Sequence, residues 1–134
     1  MKTFEWIEKN IVLALHKIQL ARFGGKEGLR DEGLLESALA KAKNYYLFQN
    51  IVITNELTAH LASKYAIGII KNDPFIDGNK RTGLILLHLF LRLNGKKLHA
   101  TEEEQYIMVI GLASGSITED EFTTWAVSNT SSLF

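Results

Sequence analysis

An all-α bundle is the fold class the sequence predicts, and three observations predict it. Apolar residues recur at three- and four-residue spacing through most of the chain, and hardly any segment alternates with period two. Two Thr-x-x-Glu boxes and an Asn-Gly pair punctuate the chain as helix starts and a helix stop. One run, "LILLHLFLRL" from Leu84 to Leu93, is apolar on nearly all sides, as a helix surrounded by others must be.

The elements follow in order. Phe4, Ile7, Ile11, Leu15 and Ile18 share a helical face, so a first helix is expected to run to about Ala21. The segment "RFGGKEGLRDEG" holds four glycines in twelve residues and must be a loop. Asp31 caps a second helix with the face Leu34, Leu35, Ala38, Leu39, Ala42 and Tyr45. After the β-branched patch "IVIT", Thr54 or Asn55 caps a third helix carrying Leu57, Leu61, Tyr65 and Ile69. That helix must stop before Pro74, because the residue preceding a proline is pushed out of the α region. A fourth, central helix runs over about 79–94, from Asn79 to a left-handed glycine cap at Asn94-Gly95. After a short "KKLHA" piece, the box Thr101/Glu104 opens a fifth helix with the face Tyr106, Val109, Ile110 and Ala113. The box Thr118/Glu121 opens a sixth with Phe122, Trp125 and Ala126. The polar tail, about 129–134, is expected to fray.

Length and charge bound the function. The 134 residues, 1–134, make one domain with room for a core. Fifteen basic and fifteen acidic residues cancel, so no overall field recruits nucleic acid or an anionic membrane. The absence of cysteine excludes disulfides, thiol catalysis and thiolate metal sites. The N-terminus lacks the small-residue cleavage site of a secretory signal, and the longest apolar run is far short of the ~20 residues of a membrane span. A cytoplasmic protein is expected.

The chemistry concentrates in "NDPFIDGNKRTG", Asn72 to Gly83, at the start of the central helix. A helix N-terminus exposes unpaired N–H groups and the positive end of the macrodipole. Gly78 lets the backbone approach a ligand closely. Lys80 adds a point charge and Arg81 a planar fork, two ways to hold phosphate oxygens. Asp77 is a hard carboxylate able to hold Mg²⁺ beside phosphates. On the residues alone two readings stand, a nucleotide-phosphate cradle and an ordinary capped turn with a solvated first turn. The stretch is not a P-loop, because Gly78 is followed by Asn79 rather than lysine.

The stretch "DPFIDGNKRTG" resembles the signature loop of the Fic/Doc family, written H-P-F-x-D/N-G/A-N-K-R in its Doc branch. Pro74, Phe75, Asp77, Gly78, Asn79, Lys80, Arg81 and Thr82 match. The segments "ARFGGKEGLRDEGLLESALAKAK" and "LFLRLNGKKL" resemble the family on either side, so nearly the whole chain is covered. Typical Fic adenylyltransferases have glycine where this chain has Lys80 and a second arginine where it has Leu84, so the resemblance is to the Doc branch. It implies the toxin of a toxin–antitoxin pair. Its reaction would be transfer of the γ-phosphate of ATP to a threonine of elongation factor Tu, arresting translation. Carried onto this chain, Asp77 would orient Mg²⁺ or the phosphates. Gly78, Asn79, Lys80 and Arg81 would hold the phosphates, and Phe75 would pack inward and pin the loop. The family's inhibitory pattern S/T-x-x-x-E-G/N is absent, since Glu27-Gly28 and Glu32-Gly33 are preceded by Phe23 and Gly28 at its first position. Restraint would then come in trans from a Phd-like antitoxin whose disordered tail folds on the toxin.

Asp73 is the departure. The family's catalytic base is a histidine at that position. Imidazole, with an ordinary pKa near 6.5, suits proton removal at neutral pH, whereas an aspartate is shorter, a far weaker base, and adds negative charge beside a triphosphate. Catalysis is expected to be impaired. Three accounts of Asp73 fit: a substitution that silences a harmful enzyme, a native residue in a member that kept only antitoxin binding, or a working aspartate base such as protein kinases use. AMP transfer to a protein hydroxyl and a non-catalytic antitoxin-binding module are the alternative functions. His16, His60, His88 and His99 have no metal-ligand spacing and are expected to be core or surface residues.

Overall fold

The computed structural model describes residues 4–48 and 55–134. Its elements are α1 (Lys9–Phe23), α2 (Glu32–Phe48), α3 (Asn55–Asn72), α4 (Asn79–Leu93), β1 (Lys96–Leu98), α5 (Glu102–Ser114), α6 (Glu119–Ser128) and β2 (Thr130–Ser132). The bundle is helical, as the periodicity requires. The "IVIT" patch and the Thr54 cap lie outside the described residues.

Its centre is the α3–α4 pair. Helix α4 buries Leu86, Leu87, Phe90 and Leu91, and α3 buries Leu57, Leu61, Tyr65, Ile67, Ile69 and Ile70. Helix α3 also packs on α2, α5 and α6, and α4 on α1, α5 and β1. Close approach of α2 and α3 depends on Gly68, where an added Cβ would stand 2.7 Å from the Ala38 carbonyl oxygen. Among the described residues no helix is long and apolar enough to cross a membrane.

Three expectations need correction. The first helix begins at Lys9, not near Phe4. Phe4 and Ile7 are buried, but from an extended segment, because the Ile7 N–H donates to the Tyr65 hydroxyl (3.0 Å) and Phe4 packs edge-on to Tyr46 and against Phe90. The buried face of α1 is Val12, His16, Gln19 and Leu20, while Ile11 and Ile18 are exposed. Two polar residues on the inner face misled a count of apolar ones. Similarly, α5 buries Val109 and Leu112 and turns Tyr106 outward. The tail does not fray. Thr130–Ser132 pairs antiparallel with Lys96–Leu98, with Leu98 opposite Thr130. Three-residue strands are too short for alternation to mark them.

The caps hold. Asp31 Oδ1 accepts from the Leu34 N–H (2.9 Å), and Gly95 takes a left-handed φ of 78° after α4. Thr118 and Glu121 form a reciprocal capping box. At α5 the Thr101 hydroxyl accepts from the Glu104 N–H, half of the expected box.

Candidate phosphate site at the start of α4

The site is built on the turn that joins α3 to α4. Gly78 adopts φ 81°, a left-handed conformation open to glycine at little cost. Asp77 Oδ1 accepts the Gly78 N–H (2.9 Å), and Asp77 Oδ2 accepts the Lys26 N–H (3.3 Å) from the glycine-rich loop. The first bond of the helical ladder is from the Thr82 N–H to the Gly78 carbonyl (3.0 Å), so the N–H groups of Asn79, Lys80 and Arg81 make no backbone bond. They point along the positive end of the dipole.

Asp77, Gly78, Asn79, Lys80 and Arg81 line one cleft of about 520 Å³. Its far wall comes from Leu84 on α4 and from α5, which contributes Tyr106, Val109 and Ile110 and, among polar residues, Glu102 and Gln105. Lys80 and Arg81 are exposed. Among the described residues the ion pairs are those of Lys9 with Glu32 and Glu36, so neither cation at the cleft has a carboxylate partner. The Arg81 guanidinium stacks over the Phe23 ring, 4.8 Å from its centroid. Asp77 and Glu102 line the same cleft, but neither is ion-paired with Lys80 or Arg81, so two cations stay available for an anion at a helix end that repels cations.

Phe75 and Asp73 hold the loop without lining the cleft, and Asn79 lines it with a side chain already engaged in the loop. Phe75 is 1% exposed and stacks on His16 with centroids 3.7 Å apart. It is inaccessible to a ligand, so its place is the pin of the loop. Asn79 is also buried, and its side chain is spent internally. Its Oδ1 accepts the Phe75 N–H (3.0 Å), and its Nδ2 donates to the Phe75 carbonyl (2.9 Å) and to Asp73 Oδ1 (2.7 Å). What Asn79 has left to donate is its backbone N–H, which makes no backbone bond. The Asp73 carboxylate is thus tied to Asn79, and Asp73 does not line the cleft.

Three supporting residues escaped sequence reasoning. His16, read as an ordinary histidine, is 4% exposed and its Nε2–H donates to the Asp77 carbonyl (2.8 Å). A carbonyl only accepts, which fixes the proton on Nε2. Gly25 passes so close that an added Cβ would lie 2.9 Å from Asp77 Oδ2. Arg30 reaches the carbonyls of Asn72 and Asp73. Their signal was the density of glycines and cations in "RFGGKEGLRDEG", which marks a loop without saying what the loop touches.

At the turn, Asp77 is the carboxylate that could hold a divalent ion, and Glu102 lines the same cleft from α5. No group of three metal-ligating side chains occurs among the described residues. Asp77 keeps lone pairs beyond its two N–H bonds, which fits an ion held by one carboxylate, water and the oxygens of a bound phosphate chain.

Comparison with known proteins agrees with the geometry. The Fic/DOC family profile matches residues 6–91. The chain is similar to "Protein kinase doc" of Escherichia phage P1, 31% identical over 107 residues, covering 80% of this chain and 81% of that protein. It is also similar to "Toxin Doc" of Mycolicibacterium smegmatis, 33% identical over 98 residues, covering 72% and 69%. The turn at Gly78, the buried Phe75 and the lysine at position 80 therefore stand in a chain that belongs to the Fic/Doc family, in its Doc branch.

Proposed function

We propose that this chain is the toxin of a toxin–antitoxin pair, built to transfer the γ-phosphate of ATP to a protein hydroxyl, with elongation factor Tu as the target. The carrying observation is the first turn of α4, where three N–H groups without a backbone partner, Lys80 and Arg81 border one cleft and neither cation is held in an ion pair. That is the chemistry of a phosphate chain. The apolar wall of Leu84, Val109 and Ile110 can cover a base at the far end. The relative named a protein kinase supports phosphate transfer, the one named a toxin supports the toxin role, and Lys80, where typical Fic adenylyltransferases have glycine, favours phosphate over AMP transfer. When bound at Asp77, Mg²⁺ supplies neutralisation of phosphate charge.

Lys80 and Arg81 orient the phosphates and offset charge on the transferred group. The target oxygen forms a bond to phosphorus as the bond to ADP breaks, and the hydroxyl proton passes to residue 73. Here that residue is an aspartate whose carboxylate is held by Asn79. Phosphate transfer is accordingly weak, whereas binding of ATP and of a Phd-like antitoxin is retained.

The test compares this chain with Asp73→His for growth arrest and for label transfer from ATP carrying the isotope in the α- or γ-phosphate. General base catalysis is worth about 10²–10⁴-fold, so the histidine variant should gain at least about 10²-fold in γ-label transfer and stop growth. Transfer of α-label instead would establish AMP transfer. A histidine variant as inert as the parent, with antitoxin binding intact, would establish a binding module.

A further inference from the structure

The geometry points to Arg30 as a positioning residue that sets the backbone at position 73 and so aims whatever side chain stands there. The inference rests on the proposed function for its catalytic consequence, though not for its structural one.

Position 73 is conformationally special. Asp73 has φ 54°, the one non-glycine residue with a positive φ among the described residues. It follows directly on α3, its N–H donates back to the Ile69 carbonyl (3.1 Å), and Pro74 comes next. This is the left-handed residue that closes a helix, a place glycine usually takes. An L-residue there is strained and persists only where its surroundings over-determine it. The side chain of residue 73 consequently leaves the backbone in a direction that a right-handed conformation would not give.

Arg30 supplies that determination. Its Nε donates to the Asp73 carbonyl (2.8 Å) and its Nη2 to the Asn72 carbonyl (3.0 Å). These are terminal carbonyls of α3, at the negative end of its dipole, where a cation is favoured. A planar fork spans two successive carbonyls, which a lysine ammonium cannot do with the same geometry. Arg30 is itself anchored to the segment it holds. The Arg30 and Asp31 N–H groups both donate to the Pro74 carbonyl (2.7 and 3.1 Å), the Ile76 N–H donates to the Gly28 carbonyl (3.0 Å), and Leu29 bridges Phe75. Residues 28–31 thus form a strap across residues 72–76, and Arg30 is the part of it that grips the strained residue. Asn79 holds position 73 from the other side, but through the Asp73 carboxylate. Arg30 holds the backbone, so its effect survives replacement of the side chain.

The experiment uses the full chain in two backgrounds, parent and Asp73→His, each with Arg30→Met and Arg30→Lys. In the parent, NMR couplings and shifts report φ at residue 73. In the Asp73→His background, steady-state kinetics report kcat and KM for ATP. A misplaced reacting group typically loses about 10²-fold. The expected result for Arg30→Met is loss of the uniquely positive φ together with about a 10²-fold fall in kcat and a KM within about twofold, because the phosphate contacts are untouched. Arg30→Lys should fall between and remains measurable if Arg30→Met fails to fold. A φ that stays positive in the folded variants overturns the inference, whatever the activity. So does an unchanged kcat beside a lost φ. If Asp73→His is inactive with Arg30 intact, the proposed function fails, and φ alone decides whether Arg30 sets this backbone.

Discussion

Replacing Asn79 with alanine should destabilise the protein far more than a surface change at a ligand contact would. Asn79 is 7% exposed and its amide makes three hydrogen bonds, to the Phe75 N–H, the Phe75 carbonyl and Asp73 Oδ1. Alanine leaves the buried Phe75 N–H unpaired, which costs about 1–3 kcal/mol. The lost bond from Nδ2 to the Phe75 carbonyl adds about 0.5–1.5 kcal/mol, and the one to the Asp73 carboxylate, nominally about 1.5–3 kcal/mol, is discounted because exposed Asp73 is resolvated. Allowing for relaxation of the turn, a loss of about 2–4 kcal/mol is expected. For a domain of this length the melting entropy converts that to a fall of roughly 7–14 °C in Tm. Thermal and urea unfolding measure it directly. Asn79→Asp sharpens the test. An aspartate still accepts from the Phe75 N–H, but it aims a second carboxylate oxygen at Asp73 Oδ1 and the Phe75 carbonyl. It should therefore be no more stable than Asn79→Ala at neutral pH. An Asn79→Ala protein that melts within about 2 °C of the parent, or an Asn79→Asp protein that matches the parent, would refute the reasoning and free the Asn79 side chain for a ligand.

Other outcomes follow from single contacts. Gly68→Ala should lose about 1–3 kcal/mol by overpacking, read as a lower urea midpoint, because the clash at 2.7 Å is with the Ala38 backbone, which cannot swing away. Tyr65→Phe should lose about 1–3 kcal/mol in the same assay by orphaning the buried Ile7 N–H. His60 carries a pKa lowered by burial and by the Lys64 charge. Its folded value lies below the unfolded one, so the unfolded state binds protons first and stability falls as pH drops below about 6.5. Urea unfolding between pH 7 and 5 should show a smaller loss in His60→Gln than in the parent.

Local rules carried most of the fold. The start of α4 after Gly78, its stop at Asn94-Gly95 and the box at Thr118 are decided within a few residues, and the structure places them where the sequence does. The strand pair was hidden because Lys96–Leu98 and Thr130–Ser132 gain order only from each other, more than thirty positions apart. The inner face of α1 was misread because His16 and Gln19 are polar in isolation, and only the loop packed above makes burying His16 favourable. At the site, the cations and the glycine turn were legible. The division of labour was less so, since nothing in the sequence says that the Asn79 side chain is spent on Phe75 and Asp73. Arg30 was illegible for the same reason as the strand pair, its partners being some forty residues away.

The account turns on anion capture at the first turn of α4. Isothermal calorimetry of the full chain with ATP and Mg²⁺ tests this most directly, because it needs no catalysis and so does not depend on Asp73. One-site binding is predicted, weakened about 10–100-fold in Lys80→Ala and in Arg81→Ala, the span of one charge-assisted hydrogen bond of about 1.5–3 kcal/mol. Absence of heat in the folded parent, or equal affinity after both cations are removed, would contradict it.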